Sequence, residues 1–141
     1  MTFTIPGDPI GKERPRVVKG HAYTPAKTKA YEDKVRWEIK KQHPGIKPFP
    51  KGAQLEMWII AGFAIPKRVS KKIRADMLNG TIRPTKAPDS DNIGKSIMDA
   101  AQGIVYENDS SIVALAVAKI YAETPSVIVH VREIEGANSP K

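Results

Sequence analysis

Residues 88–109 read Pro88-Asp89-Ser90-Asp91-Asn92-Ile93-Gly94-Lys95-Ser96-Ile97-Met98-Asp99-Ala100-Ala101-Gln102-Gly103-Ile104-Val105-Tyr106-Glu107-Asn108-Asp109. A helix must start just after Pro88, which lacks an amide donor, and Asp89 or Ser90 is a favoured N-cap. Gly103 supplies the stop, since glycine reaches a left-handed C′ conformation at little steric cost. At about 100° per residue, Asp91, Lys95 and Asp99 follow one another at i, i+4 and i+8 along one face. Ile93, Ile97 and Ala101 form a second stripe about 200° round from the first. One face of this helix is therefore expected to enter a core while the other shows carboxylate, amine, carboxylate. Asp89 sits just before the helix on the Asp91 side, and Asp109 closes the turn that follows.

Upstream of this helix the chain is basic. Residues 1–86 hold 19 Lys/Arg against 7 Asp/Glu, a net of +12, whereas residues 87–141 hold 4 against 8, a net of −4. A basic body with a small acidic spot suits a polyanion held by the first part and worked on at the second, with nucleic acid the leading candidate. The 141 residues suffice for one domain with a real core. The absence of cysteine excludes disulfides, thiol nucleophiles and Cys-based zinc sites. No apolar run approaches the roughly 18 residues of a membrane span, and the first residues do not read as a signal peptide, so a cytoplasmic protein with no membrane partner is expected.

The remaining elements follow from periodicity. Residues 2–5 alternate as a first strand, broken by Pro6-Gly7. A basic loop then leads into a small hairpin turning at Lys19-Gly20. Thr28 to Gln42 reads as a helix, with Tyr31, Val35, Trp37 and Ile39 on a loose apolar face and with i,i+4 pairs Glu32/Arg36 and Lys34/Glu38. Ala53 to Ala64 fits a central strand. Lys67 to Leu78 reads as a short basic helix anchored by Val69, Ile73 and Met77. Ile112–Ala122 and Ser126–Ile134, separated by Glu123-Thr124-Pro125, read as a closing β-hairpin, and residues 135–141 as a frayed tail. The expectation is one α/β (α+β) domain over residues 1–134, a mixed sheet flanked by helices in the order β, hairpin, α, β, α, α, β, β.

Clustered carboxylates suggest a chemistry. Hydrolysing a phosphodiester requires neutralising phosphate charge and activating a water, and Mg²⁺ held on carboxylate oxygens does both. Asp89 and Asp91 straddle a helix start, Asp109 could return beside them, and Lys95 could reach the scissile phosphate. The plainer reading is that these acids cap a helix and form surface ion pairs. Three sharper motifs fail. From Asp89, the fifth and twelfth positions of an EF-hand loop fall on Ile93 and Ala100. A PD-(D/E)xK nuclease needs an acid two residues before a lysine, where Val117 precedes Lys119. His21, His43 and His130 lack zinc-ligand spacing.

Taken together, Pro88-Asp89-Ser90-Asp91-Asn92-Ile93-Gly94-Lys95-Ser96-Ile97-Met98-Asp99-Ala100 and Gly103-Ile104-Val105-Tyr106-Glu107-Asn108-Asp109-Ser110-Ser111-Ile112-Val113 closely resemble the RusA family of Holliday junction resolvases, small endonucleases often found on prophages. The segments from Ile5 to Arg16 and from Tyr23 to Thr28 are similar to the N-terminal parts of phage-type members, more loosely. The resemblance spans residue 3 to about 131. It implies a homodimeric, Mg²⁺-dependent nuclease, with Mn²⁺ as a possible substitute, that cuts four-way DNA junctions by paired symmetric nicks in recombination and repair. It places metal ligands on Asp89, Asp91 and Asp109, the essential lysine on Lys95 and a supporting acid on Asp99. Some members carry two adjacent acids in the last turn, whereas here Asn108 precedes Asp109. For the DNA backbone the expected contacts are Lys12, Arg14, Arg16, Lys27, Arg68, Lys71 and Lys72. The competing expectation is a non-catalytic DNA-binding or recombination accessory protein.

Overall fold

Alternation along three strands builds one face of the sheet. Phe3 and Ile5 of β1 (Thr2–Pro6), the odd-numbered residues from Leu55 to Phe63 of β4 (Leu55–Ala64), and Val127, Val129 and Val131 of β6 (Ser126–Glu133) are all buried. They pack beneath α1 (Ala26–Gln42) and α3 (Ser90–Ala101), whose own buried residues include Val35, Ile39, Ile93 and Ile97. The computed structural model describes residues 1–14, 16–23 and 25–134, and the side chains of Arg16 and Tyr23 are not among what it describes. The tail expected at 135–141 therefore lies outside the described residues.

The element order matches the expectation. β2 (Arg16–Val18) and β3 (His21–Tyr23) form the small hairpin, with Lys19 at φ 52° and Gly20 at φ 80° in its turn. The second helix, α2, is shorter than its charge run: it spans Lys71–Leu78, and the Ser70 hydroxyl caps it by accepting from the Ile73 amide at 3.1 Å. Lys67, Arg68 and Val69 precede it. Of the three expected anchors only Met77 is buried, because Val69 precedes this short helix and the helix packs chiefly against one edge strand of the sheet. In α1, Glu32 pairs with Arg36 as expected. Lys34, however, donates to the Pro6 carbonyl, and Glu38 accepts from Gln42. Trp37 is 59% exposed, with the Lys41 amine over its ring, and belongs to the surface rather than the core.

The closing hairpin is the main correction. The sheet runs β1-β6-β4-β5, so β5 (Ile112–Ala122) and β6 are not neighbours: β4 lies between them. The reason is the crossover. Chain leaving β4 passes through α2 and α3 and returns parallel to β4, which fills one of its edges. The last strand then takes the other edge, antiparallel to both β4 and β1. Residues 123–125 thus pass over the end of β4, where Gly62 makes room: a Cβ there would lie 3.2 Å from the Ser126 carbonyl oxygen.

One core hydroxyl has no role in this packing. Tyr31 is 6% exposed and its OH, buried, has no hydrogen-bond partner among the described residues. Desolvation raises its pKa, so its contribution to stability is complete below pH 10 and is lost as pH rises further. Tyr31→Phe removes an unsatisfied polar atom at constant shape. It should stabilise by about 1 kcal/mol and lessen the alkaline loss, both read by thermal melts between pH 7 and 11.

Candidate active site

Helix α3 has the two-faced character expected of it. Ile93, Ile97 and Ala101 are buried, Asp91 and Lys95 are exposed, and Asp99 is half-buried. Gly103 follows the helix at φ 87°. Asp89 occupies the N-cap position with extended backbone, but its side chain makes no cap hydrogen bond, and among the described residues the Asp91 carboxylate accepts only the neighbouring Asn92 amide at 3.0 Å. The capping role that would make these acids merely structural is thus weakly filled. Both stay exposed at a helix start, where the macrodipole favours negative charge.

A second set of charges is tied together along the same helix. Lys95 Nζ lies 3.8 Å from Asp99, and Asp99 lies 3.1 Å from Lys12 Nζ. Lys12 in turn donates to Glu32 of α1 at 2.6 Å, and Glu32 lies 3.7 Å from Arg36. The Lys12 side chain is only 15% exposed and that of Glu32 only 9%. Burial opposes the charge on Lys12, but hydrogen bonds and attraction from Glu32 and Asp99 outweigh it and raise its pKa. Backbone bonds fix the loop that carries it: the Lys12 amide donates to the Asn92 carbonyl, and the Ser96 hydroxyl donates to the Ile10 carbonyl, both at 2.9 Å. Gly11 must be small, since a Cβ there would come within 2.8 Å of Pro88.

Beside the Asp89 end of α3 this loop forms a cavity of about 310 Å³, lined by Gly11, Lys12, Glu13, Lys27, Pro88 and Asn92 among others. It is wide enough for a phosphate and part of a nucleotide. Of the expected DNA contacts, Arg14, Lys27, Arg68, Lys71 and Lys72 are exposed. Lys72 sits 3.7 Å from Asp76. The Arg16 side chain lies outside the described residues, and Lys12 is held inside the ion network rather than offered to solvent.

Asp109 stands elsewhere. It opens the short 3₁₀ turn Asp109–Ser111, and its amide donates to the Gln102 side chain at 3.1 Å, beside the C-terminal end of α3. Asp89 and Asp91 are at the N-terminal end, and a helix of this length spans roughly 17 Å. Among the described residues, no three Asp, Glu or His side chains come together as a metal-binding set. A single chain therefore does not return Asp109 to Asp89 and Asp91. Asn108, where some relatives have an acid, caps this turn by accepting from the Ser110 amide at 2.9 Å. Tyr106 is buried between the two ends. Its OH donates to the Met98 carbonyl, and burial, reinforced by Asp109 and Asp99, raises its pKa.

Glu32, Asn92, Ser96 and Tyr106 are absent from the sequence-derived set. Glu32 showed only a helical partner at i+4, and its bond to Lys12 is a long-range contact without a local signature.

Residues 6–132 match the family described as Endodeoxyribonuclease RusA. A relative from Bacillus subtilis (strain 168), the uncharacterized protein YqaN, is 34% identical over 141 residues, covering 95% of this chain and 96% of the relative. The matched family's description names a class, the endodeoxyribonucleases. The chain belongs to the RusA endodeoxyribonuclease family.

Proposed function

We infer that this chain is a divalent-metal-dependent endonuclease that resolves four-way DNA junctions by paired phosphodiester hydrolysis, acting as a homodimer in the cytoplasm. The observation that carries the reading is the charged α3 face: Asp89 without a cap bond, then exposed Asp91 and Lys95 and half-buried Asp99, beside a cavity whose lining includes Lys27. Family membership supports the endonuclease class.

Mg²⁺ takes hard oxygen ligands, and Asp89, Asp91 and Asp109 supply that chemistry. Because Asp109 lies at the far end of α3, the three fit one ion only if two copies share each site. A two-fold arrangement with the α3 helices antiparallel brings the Asp89/Asp91 end of one copy towards Asp109 of the other. A bound cation would offset phosphate charge and acidify a water. Lys95 donates to a phosphate oxygen. Asp99, fixed by Lys12, keeps the Lys95 amine on the helix face. Arg14, Lys27, Arg68, Lys71 and Lys72 hold the flanking backbone, and Mn²⁺ serves in place of Mg²⁺. A nearly two-fold junction suits a two-fold enzyme with two equivalent centres.

The test is a labelled mobile four-way junction and a matched linear duplex, incubated with Mg²⁺ or EDTA. Paired nicks in the junction alone are expected. Asp91→Asn should reduce cutting by at least about 100-fold yet bind the junction as tightly or more so, since one carboxylate no longer repels phosphate. Binding without cutting by the unaltered protein, in both Mg²⁺ and Mn²⁺, would return the acids to helix capping and favour the accessory-protein reading.

A further inference from the structure

The ion network along α3 shares one carboxylate between two amines. Lys12 and Lys95 both make their closest approach to the same oxygen of Asp99, Oδ2, at 3.1 Å and 3.8 Å. The first distance is within hydrogen-bond reach and the second is beyond it. Yet Lys95 has the i,i+4 spacing that ordinarily pairs charges on a helix. Its side chain is left 62% exposed, while the largely enclosed Lys12 reaches Asp99 from another segment. Lys12 is held there at both its backbone and its amine. Its loop is pinned at three points: Ser96 donates to the Ile10 carbonyl, the Lys12 amide to the Asn92 carbonyl, and the Glu13 amide to the buried Thr28 hydroxyl at 3.2 Å. The amine is fixed by Glu32, whose two oxygens face Lys12 on one side and Arg36 on the other. Arg36 is itself tied to Asp33 at 3.0 Å. A buried ion pair seldom stabilises a fold more than apolar residues of the same size would, so its place beside the acid-bearing helix calls for another role.

We propose that Lys12 is a positioning residue: it occupies the Asp99 carboxylate, so that Lys95 is attracted to the helix face but its amine stays free for a phosphate oxygen. The inference rests on the proposed function, in which Lys95 donates to phosphate. An amine already bonded to a carboxylate must break that bond before it can meet a second anion. With Lys12 on Oδ2, Asp99 steers Lys95 electrostatically and makes no hydrogen bond to it. Among the described residues Lys95 is the one other cation within 4 Å of Asp99, so loss of Lys12 would let Asp99 close on it. Glu32 serves this arrangement at one remove, by keeping the Lys12 amine at the buried end of the network. The competing task for Lys12, a direct contact with DNA backbone, fits its enclosure poorly, since the amine would have to leave two carboxylates to make it.

The experiment reads Lys95 itself, in the free protein without DNA or metal, so that it is separable from nuclease activity. Acylation by a water-soluble ester, followed by peptide mass spectrometry, gives a rate for each lysine, and an ammonium bonded to a carboxylate acylates more slowly. The pair variant, Lys12→Met with Glu32→Gln, removes the buried pair as a unit and leaves the net charge unchanged. In it Lys95 should label about threefold more slowly than in the unaltered protein, the scale of a partly exposed ion pair. Lys27 and Lys71 should label as before. Glu32→Gln alone leaves Lys12 on Asp99 and should not slow Lys95, and adding Asp99→Asn to the pair variant should restore the rate. Asp99→Asn by itself should change Lys95 labelling little. The cutting rate at saturating junction should fall in the pair variant by the same factor, with junction affinity kept. Unchanged Lys95 labelling in a folded pair variant would overturn the proposal. So would equal slowing in Glu32→Gln alone, which marks a merely structural role. Faster labelling in Asp99→Asn alone would also overturn it, because Asp99 would already be holding Lys95, and this variant decides the matter even if the pair variant does not melt cooperatively. Labelling as expected in a protein that cuts nothing would keep this arrangement of charges and sink the nuclease reading instead.

Discussion

Mixing two inactive variants, Asp91→Asn and Asp109→Asn, is expected to restore cutting. If each centre takes Asp89 and Asp91 from one copy and Asp109 from the other, a mixed dimer has one centre with both substitutions and one with neither. After unfolding and refolding the variants together, about half the dimers are mixed by simple combination, and each carries one intact centre. The product should be single nicks in one strand of the junction, not the paired nicks of the unaltered enzyme. If instead each centre were built within one chain, every centre in the mixture would carry one substitution, and no cutting would appear. The separation of the acids along α3 makes the first outcome the expected one. The readout, resolved on a denaturing gel against each variant alone, rises from background to a clear signal.

Lys12→Met should unfold the protein more readily before any DNA is present. The substitution leaves Glu32, 9% exposed, and the half-buried Asp99 without their shared cation. Breaking a fully buried pair costs about 3–5 kcal/mol, and partial exposure brings this to about 2 kcal/mol. The double variant Lys12→Met, Glu32→Gln should recover part of that loss, because the most buried unpaired charge has then been removed. Chemical denaturation of the unaltered protein, Lys12→Met, Glu32→Gln and the double variant measures the coupling directly. A contact made only to DNA backbone would behave differently. Lys12→Met would then leave the midpoint unchanged and lower the salt dependence of DNA binding by about one counterion.

What could be read from the sequence was what local chemistry dictates. Pro88, Asp89 and Gly103 bracket α3, and its buried and exposed faces follow from spacing, because caps and periodicity act within a few residues. Lys19-Gly20 places the small hairpin for the same reason. Two errors share an opposite cause. Ile112–Ala122 and Ser126–Ile134 looked like a hairpin because a short turn joins them. Their true neighbour was decided by the crossover that brings β5 parallel to β4, and β4 lies two helices earlier in the chain. Lys12 looked like a surface cation because the basic excess around it is real. Its partners lie 20 and 87 residues away, and composition cannot pair charges over such distances. The acids themselves were legible from their pattern. Their grouping was not, since nothing in the spacing tells which end of a helix a later turn will meet.

The insertion of β6 between β1 and β4 also bears on how the protein comes into being. Until residues 126–133 have left the ribosome, β1 has no strand to pair with and β4 lacks one of its two neighbours. The ladder that begins at Thr2 and His130 joins the two ends of the described chain, the kind of distant pairing that slows folding. A nascent chain already exposing its basic segments and the whole of α3 would therefore have no completed sheet beneath them. Under the proposed function, competence to cut would arrive only with the last strand, because a product truncated before it carries every proposed acid without the sheet that seats α3.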